Sequence, residues 1–121
     1  MGRKIAYWAS NALIALSAAM AAFAYLSGSP QAVRGFIHIG YPQQLRIILG
    51  IAKPLAAIVL LIPGFLRLKE WAYAGFTFAW ICAFVAHTLA HDGRERFAPI
   101  LLLILLVISY TTRPADRKLA A

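Results

Sequence analysis

The sequence predicts an all-α protein: a four-transmembrane-helix bundle, antiparallel, with a short interfacial helix or turn between helices 1 and 2. Its composition is 62% hydrophobic and 13% charged, whereas a soluble domain has about 45–50% apolar and about 25% charged residues. This composition favours the bilayer as the solvent. We expect residues 1–121 to form a single domain, with apolar helices near residues 5–26, 45–66, 71–89 and 97–112.

The lengths of the four apolar stretches support this prediction. A helix rises about 1.5 Å per residue and the hydrocarbon core is about 30 Å thick, so the first three stretches are long enough to span it. The first is therefore expected to be a retained helix rather than a signal peptide. The fourth is short, and it spans only with Thr111 and Thr112 included or where the bilayer thins locally. Asn11 in the first stretch is expected to make an interhelical hydrogen bond.

The segments between the stretches predict turns. Residues 27–30 form a turn, and residues 31–39 are expected to form a short interfacial helix with Val33, Phe36 and Ile37 facing lipid.

Pro63 and Gly64 are expected to end the second helix, and Arg67, Lys69 and Glu70 to complete a very short loop before the third. In the third stretch, small residues at three- and four-residue spacing predict a closely packed seam; they are Ala72, Gly75, Ala79, Cys82 and Ala86.

The net charge of +8 reflects basic residues at segment ends, with no basic aromatic groove for nucleic acid, so we expect membrane lipids as partners. Counting these residues predicts that both termini lie in the cytoplasm. On one side lie Arg3, Lys4, Arg67, Lys69, Arg113, Arg117 and Lys118, and on the other Arg34, Arg46, Arg94 and Arg96.

Several classes of chemistry lack a basis in the sequence. The single cysteine, Cys82, excludes an intramolecular disulfide and a Cys-x-x-Cys centre. No nucleophile–base–acid set, phosphate loop or pair of carboxylates is present, and catalytic activity stays an open question. His87 and His91 can share a helix face with Asp92 following, but His38 is the only further histidine. We therefore predict no metal site.

Lys53 and the following Pro54 are the strongest anomalies. A charge well inside a membrane segment costs roughly 2.5–3.5 kcal/mol on insertion scales and is a functional candidate. Pro54 denies a hydrogen bond to the carbonyl of Gly50 and is expected to kink or open the helix. The acidic residues are expected in loops or tails. Lys53 therefore needs a backbone carbonyl, a water, a partner subunit, a loop carboxylate or a ligand oxygen, unless it snorkels to the headgroups.

An aromatic stripe on the third stretch contains Phe76, Trp80 and His87. If the second and third helices are neighbours, Lys53, Trp80 and His87 line one cavity open towards the outer leaflet. A quinone suits such a cavity, because the aromatic wall receives its ring while the cation and the imidazole meet its oxygens. The alternative is an aromatic stripe that faces lipid and a histidine bonded to a backbone carbonyl.

Four motifs extend this interpretation: Gly40-Tyr41-Pro42, Leu49-Gly50-Ile51-Ala52-Lys53, Ile62-Pro63, and Arg67-Leu68-Lys69-Glu70-Trp71-Ala72-Tyr73-Ala74-Gly75-Phe76. In this order and spacing the chain resembles the DoxX-like family of small bacterial membrane proteins over roughly residues 5–110. The resemblance implies a four-helix membrane bundle and transfers Gly40, Tyr41, Pro42, Gly50 and Lys53 as possible site residues.

The wider DoxX group implies a redox context, because it includes a subunit linked to thiosulfate:quinone oxidoreduction and a component of a mycobacterial membrane redox complex. Distant relatives of similar architecture include sterol isomerases, whose intramembrane acidic residues are missing here, and a receptor-assembly chaperone.

The leading hypothesis is a small inner-membrane protein that binds a hydrophobic ligand, quinone or lipid-like, and is accessory to a membrane redox system. Its candidate ligand-binding residues are Lys53, His87, Trp80, Tyr41 and Gly50. The alternative is an assembly or interaction subunit without a ligand pocket, acting as a homo-oligomer or beside a redox partner subunit. Small-solute transport is less favoured, because the chain is too short for paired inverted repeats.

Overall fold

A computed structural model describes residues 2–119, and within that range the fold is all-α, with no strand. Three helices are long and apolar enough to cross a membrane, and a fourth apolar helix is shorter. The five helices are α1 (Gly2–Leu26), α2 (Pro30–His38), α3 (Gln43–Leu61), α4 (Leu66–Leu89) and α5 (Phe97–Thr111), and a 3₁₀ turn (Ala115–Arg117) follows them.

The short helix α2 begins with a side-chain cap. The Ser29 hydroxyl accepts a hydrogen bond from the Ala32 amide at 3.2 Å, and Pro30 occupies the first turn, where its missing N–H costs nothing. The expectation that Phe36 faces lipid is wrong, because its side chain is only 6% exposed. Its ring contacts the Tyr25 ring edge-to-face at 5.1 Å, so α2 is fastened to the end of α1.

The connection between α3 and α4 differs from the prediction. Helix α3 ends at Leu61 and α4 begins at Leu66, so the expected loop position of Arg67, Lys69 and Glu70 is wrong. All three lie in the first turns of α4, and Lys69 is buried. The turn itself uses Gly64 and Phe65, both with a positive φ.

Helix α3 runs from Gln43 to Leu61 and continues through Pro54, and the kink or opening expected at Pro54 stays a prediction.

Contacts between helices place α1, α3, α4 and α5 in a ring, because α1 and α4 each contact both α3 and α5. A Cβ added to Gly50 would lie 3.0 Å from the Leu26 side chain, so the first half of α3 lies beside the end of α1. Further along the ring, the Tyr41 hydroxyl donates to the Cys82 carbonyl at 3.2 Å, which joins the entry to α3 to the second half of α4. The Arg3 guanidinium donates to the Thr111 carbonyl at 3.2 Å, which joins the start of α1 to the end of α5.

The centre of the ring is an apolar core, and the outside of the ring is also apolar. Phe23 is 79% exposed, which suits a side chain that faces lipid rather than water. The seam expected on α4 is packed only in part, because Ala72 and Ala86 are buried while Gly75 and Cys82 are exposed. The core cluster comprises Ile14, Ala18, Ala57, Leu60, Ala72, Tyr73, Phe76, Trp80 and Leu106.

Candidate functional site

Lys53 lies ten residues after the first residue of α3, which is about 15 Å along the helix axis. It follows Gly50 by three residues and precedes Ala57 by four, and both of these are buried. Residues at this spacing share a helix face. The lysine therefore projects from the inward face of α3, near the middle of the helix.

The side chains that surround Lys53 are almost wholly apolar. A cavity of about 240 Å³ lies beside it, between α3 and α4. Apart from Lys53, the lining side chains carry no polar atom; they are Leu49, Ala52, Ala56, Gly75, Phe76 and Ala79. On its other side, Nζ lies 5.3 Å from the centroid of the Tyr25 ring.

The aromatic contact offsets only part of the cost of this charge. A cation–π contact contributes about 0.5–2 kcal/mol, whereas a charge near a helix centre costs roughly 2.5–3.5 kcal/mol. Over residues 2–119, Nζ has no hydrogen-bond acceptor and no carboxylate partner. The ammonium is therefore the group in this cavity that would gain most from an oxygen supplied by a ligand.

The other expected site residues take different positions. Gly50 lets α1 and α3 approach closely, because any Cβ there would touch Leu26. Trp80 is buried and stacks on Phe76 with ring centroids 4.8 Å apart, so it supports the cavity wall from behind. Lys53, Trp80 and His87 were expected to line one cavity, but of these only Lys53 lines the cavity between α3 and α4. The side chain of His87 contacts Asp92 instead.

His87 belongs to a polar cluster where α2 meets the end of α4. Asp92 accepts hydrogen bonds from His38 Nε2 at one carboxylate oxygen and from His87 Nδ1 at the other, both at 2.7 Å. The bonds from His87 and His38 lower the pKa of Asp92. His91, by contrast, is exposed. The sequence suggested the neighbouring pair His87 and His91, but only the fold brings His38 into reach.

A second polar cluster, at the far end of α3, escaped sequence reasoning. The Lys69 amine donates to the Val59 carbonyl at 2.6 Å and also to the Ile62 carbonyl. The Arg117 guanidinium donates to the carbonyls of Leu60, Leu61 and Ile62 at 2.8, 2.9 and 3.0 Å. Because a helix ends with orphan carbonyls and a partial negative charge, these two cations cap α3. Its lack of a C-terminal capping glycine was the available signal.

The expected interhelical bond of Asn11 is confirmed. The Ser109 hydroxyl donates to the Asn11 side-chain oxygen, and the Tyr73 hydroxyl lies 2.7 Å from the same serine oxygen. This buried chain joins α1, α5 and α4. Its role is structural cohesion, because the Asn11 oxygen, the Ser109 hydroxyl and the Tyr73 hydroxyl bond to one another, while the buried Asn11 side-chain nitrogen has no partner within residues 2–119.

A comparison with protein-family models matches residues 9–109 to the DoxX-like family. The chain belongs to the DoxX-like family. No curated protein and no solved structure matches the chain. The family assignment confirms the resemblance carried by the motifs. Together with the apolar helices it identifies a small membrane protein in contact with lipid.

A larger groove of this DoxX-like protein, about 320 Å³, lies between α4 and α5. Its polar groups already have partners: Glu70 accepts from Arg113 at 2.5 Å and from the Tyr110 hydroxyl at 3.0 Å, and Tyr73 is bonded to Ser109. A ligand gains little from groups that are satisfied within the protein. The smaller cavity beside Lys53 is therefore the better candidate site of the two.

Proposed function

We propose that this DoxX-like protein binds a hydrophobic ligand that carries an oxygen, a quinone or a lipid-like molecule, between α3 and α4. Lys53 Nζ meets the polar end of the ligand, and the protein serves a membrane redox system as an accessory. One observation carries the proposal: Lys53, at mid-helix, lines an apolar cavity, and its ammonium has no acceptor in residues 2–119.

The size of the cavity limits what it encloses. Its volume of about 240 Å³ is below the roughly 300–1,000 Å³ of pockets that surround a whole ligand. It suits one ring or a short chain segment, with the rest of the ligand lying along the lipid-facing surface. Phe76 supplies a flat wall for a ring, and Trp80 stacks behind it.

The proposal includes an arrangement in the membrane. Four helices, α1, α3, α4 and α5, cross the bacterial inner membrane, neighbours run in opposite directions, and both termini lie in the cytoplasm. The contacts between the start of one helix and the end of its neighbour support this arrangement. Helix α5, with 15 residues, is only about 22 Å long, so it spans with local thinning of the bilayer.

Ligand binding is tested by titrating the protein in nanodiscs with a short-chain quinone and following the quenching of tryptophan fluorescence. We expect Lys53→Met to weaken binding by about tenfold or more, because a hydrogen bond from a charged donor contributes roughly 1.5–3 kcal/mol. Lys53→Arg keeps a cationic donor and should retain much of the affinity.

The matched control is Arg67→Met, which removes an exposed cation at the start of α4 and should leave the affinity unchanged. Native mass spectrometry with lipid extraction shows what the wild-type protein carries from the membrane. Equal affinity of Lys53→Met and the wild type would remove Lys53 from the site.

An assembly subunit is the second candidate, and one observation favours it. Cys82 is exposed on α4, and a Cβ at Gly75, which also lines the cavity beside Lys53, would meet nothing within 4 Å. This surface therefore has room for a helix of another subunit in place of a ligand. Oxidative cross-linking through Cys82 in membranes discriminates the two functions. An efficient cross-link together with normal quinone binding by Lys53→Met favours assembly.

A further inference from the structure

A basic cavity lies at the opposite end of the bundle from the cluster of His38, His87 and Asp92. It has a volume of about 340 Å³ and sits where α1 begins and α5 ends. Four of its lining residues are cationic, and within residues 2–119 the only acidic residue bonded to any of them is Glu70, the partner of Arg113. The lining residues are Arg3, Lys4, Thr112, Arg113, Pro114, Ala115 and Lys118.

The charges of this cavity are unbalanced. Pairing with Glu70 compensates Arg113, but Arg3, Lys4 and Lys118 have no carboxylate partner in residues 2–119. Asp116, the nearest acidic residue along the chain, is exposed and forms no ion pair within the same range. Cations held together without a counter-ion repel one another, and a bound anion relieves that repulsion.

The cationic groups also hide the negative end of α5. Arg3 donates to the Thr111 carbonyl at 3.2 Å, and Arg113 Nε donates to the Tyr110 carbonyl at 2.7 Å. The guanidinium of Arg113 is fixed further by the face of the Tyr110 ring, 3.6 Å from its centroid. The terminal carbonyls that would repel an anion are therefore already covered by donors.

We propose that this cavity binds the phosphate group of an anionic phospholipid. Its position favours a lipid over a dissolved phosphate ion, because it opens at the ends of two apolar helices, where headgroups lie. Basic pockets between helix ends are known to bind such headgroups. This inference does not depend on ligand binding in the cavity beside Lys53 and requires only that the protein is embedded in a membrane.

The test measures how tightly the protein, in nanodiscs of neutral lipid, takes up phosphatidylglycerol added in steps, read by native mass spectrometry. The variant is the double substitution Lys4→Gln and Lys118→Gln. Each lysine near a membrane surface contributes about 1 kcal/mol to anionic lipid binding, which is about fivefold in affinity. We expect the double variant to bind about 25-fold more weakly, while phosphatidylcholine binding stays unchanged.

The control is Arg67→Gln, an exposed cation at the same end of the bundle that does not line the cavity. A loss of about fivefold in this control would show a diffuse charge effect and overturn the site. Binding of inorganic phosphate as tight as that of phosphatidylglycerol would overturn the lipid assignment. Far-UV circular dichroism verifies the fold of each variant. Lys53→Met removes the amine proposed to meet the hydrophobic ligand and should bind phosphatidylglycerol normally. Its result therefore separates a failure of the phospholipid proposal from a failure of the proposed function.

Discussion

Lys69 and Lys53 show how local partners decide what a lysine does in an apolar helix. Lys69 is 1% exposed and donates to two carbonyls at the end of α3, so its charge is used to complete the fold. Lys53 is half-buried and faces an aromatic ring and a cavity. Lys69 is therefore structural, whereas the hydrogen-bonding capacity of the Lys53 amine is unused within residues 2–119.

Among the cations near the ends of the helices, Arg117 should cause the largest loss of stability when it is substituted. It is 8% exposed and donates to the Tyr7 hydroxyl at 2.7 Å as well as to the last carbonyls of α3. Arg117→Met removes this donor from the Tyr7 hydroxyl and from the Leu60 and Leu61 carbonyls, and a lost hydrogen bond from a charged group costs about 1.5–3 kcal/mol. We expect unfolding in mixed micelles to show a free energy lower by at least about 2 kcal/mol.

Two further variants test the reason for that loss of stability. Arg67→Met removes an exposed cation and should change stability by less than about 0.5 kcal/mol. Arg117→Lys keeps the charge but loses the planar fork that reaches both Tyr7 and the carbonyls, so we expect an intermediate loss. Wild-type stability in Arg117→Met would mean that the capping contacts do not stabilise α3.

At the scale of elements, Asp92 ties α2 to the end of α4. His38 ends α2 and His87 lies in the last turn of α4, and both donate to the same carboxylate. Asp92→Asn removes the charge that holds the two imidazoles. We expect several-fold faster amide exchange in α2 at neutral pH, with α1 unaffected, as measured by hydrogen–deuterium exchange in nanodiscs.

The same tie has a defined pH dependence. Hydrogen bonds from His87 and His38 hold the pKa of Asp92 below its ordinary value, which is about 3.9. A lowered carboxyl pKa contributes stability at pH values above the ordinary one, and that contribution disappears as the pH falls through the lowered value. Protection of α2 should therefore persist down to about pH 4. Glu95→Gln, an exposed acid in the same loop, should exchange like the wild type.

The apolar helices could be predicted from the sequence, whereas the polar contacts between them could not. Apolar length alone marks residues 97–112, close to the observed Phe97–Thr111, because a hydrophobic run is a property of the chain itself. The start of α4 at Leu66 was missed, because charged residues in the first turn read as a loop. The acceptors of Lys69, the Val59 and Ile62 carbonyls, come from the end of another helix.

The candidate site follows the same division. Lys53 was identifiable from sequence because a charge in an apolar run is anomalous by itself. His87 contacts Asp92 rather than Lys53, and this contact depends on where α2 places His38. No local sequence pattern encodes the position of α2 relative to α4. The cation–π contact with Tyr25 likewise requires the packing of α1 against α3.

For the whole molecule, buried polar contacts are concentrated at one end of the ring of helices. Tyr7, Asn11, Lys69, Ser109 and Arg117 are buried, and they bond α1, α3, α4, α5 and the 3₁₀ turn to one another. The other end is joined by half-buried or exposed contacts of Tyr41 and Asp92. We infer that the end holding both described termini is the stiffer end, and the end holding α2 the more adaptable one.

The proposed arrangement of four crossing helices gives the last prediction, because an even number of crossings would place both termini on one side. In a Cys82→Ala background, single cysteines replace Leu119 near one end and Gly93 between α4 and α5; both sites are exposed, and a Cβ at Gly93 meets nothing within 4 Å. In intact spheroplasts, a membrane-impermeant maleimide should label Gly93→Cys at once and Leu119→Cys only after permeabilisation. Equal labelling of both would mean that α5, only 15 residues long, does not cross the bilayer. The reverse pattern would mean that the basic residues at the ends of α1 and α5 face outwards, against the usual cytoplasmic bias of lysine and arginine.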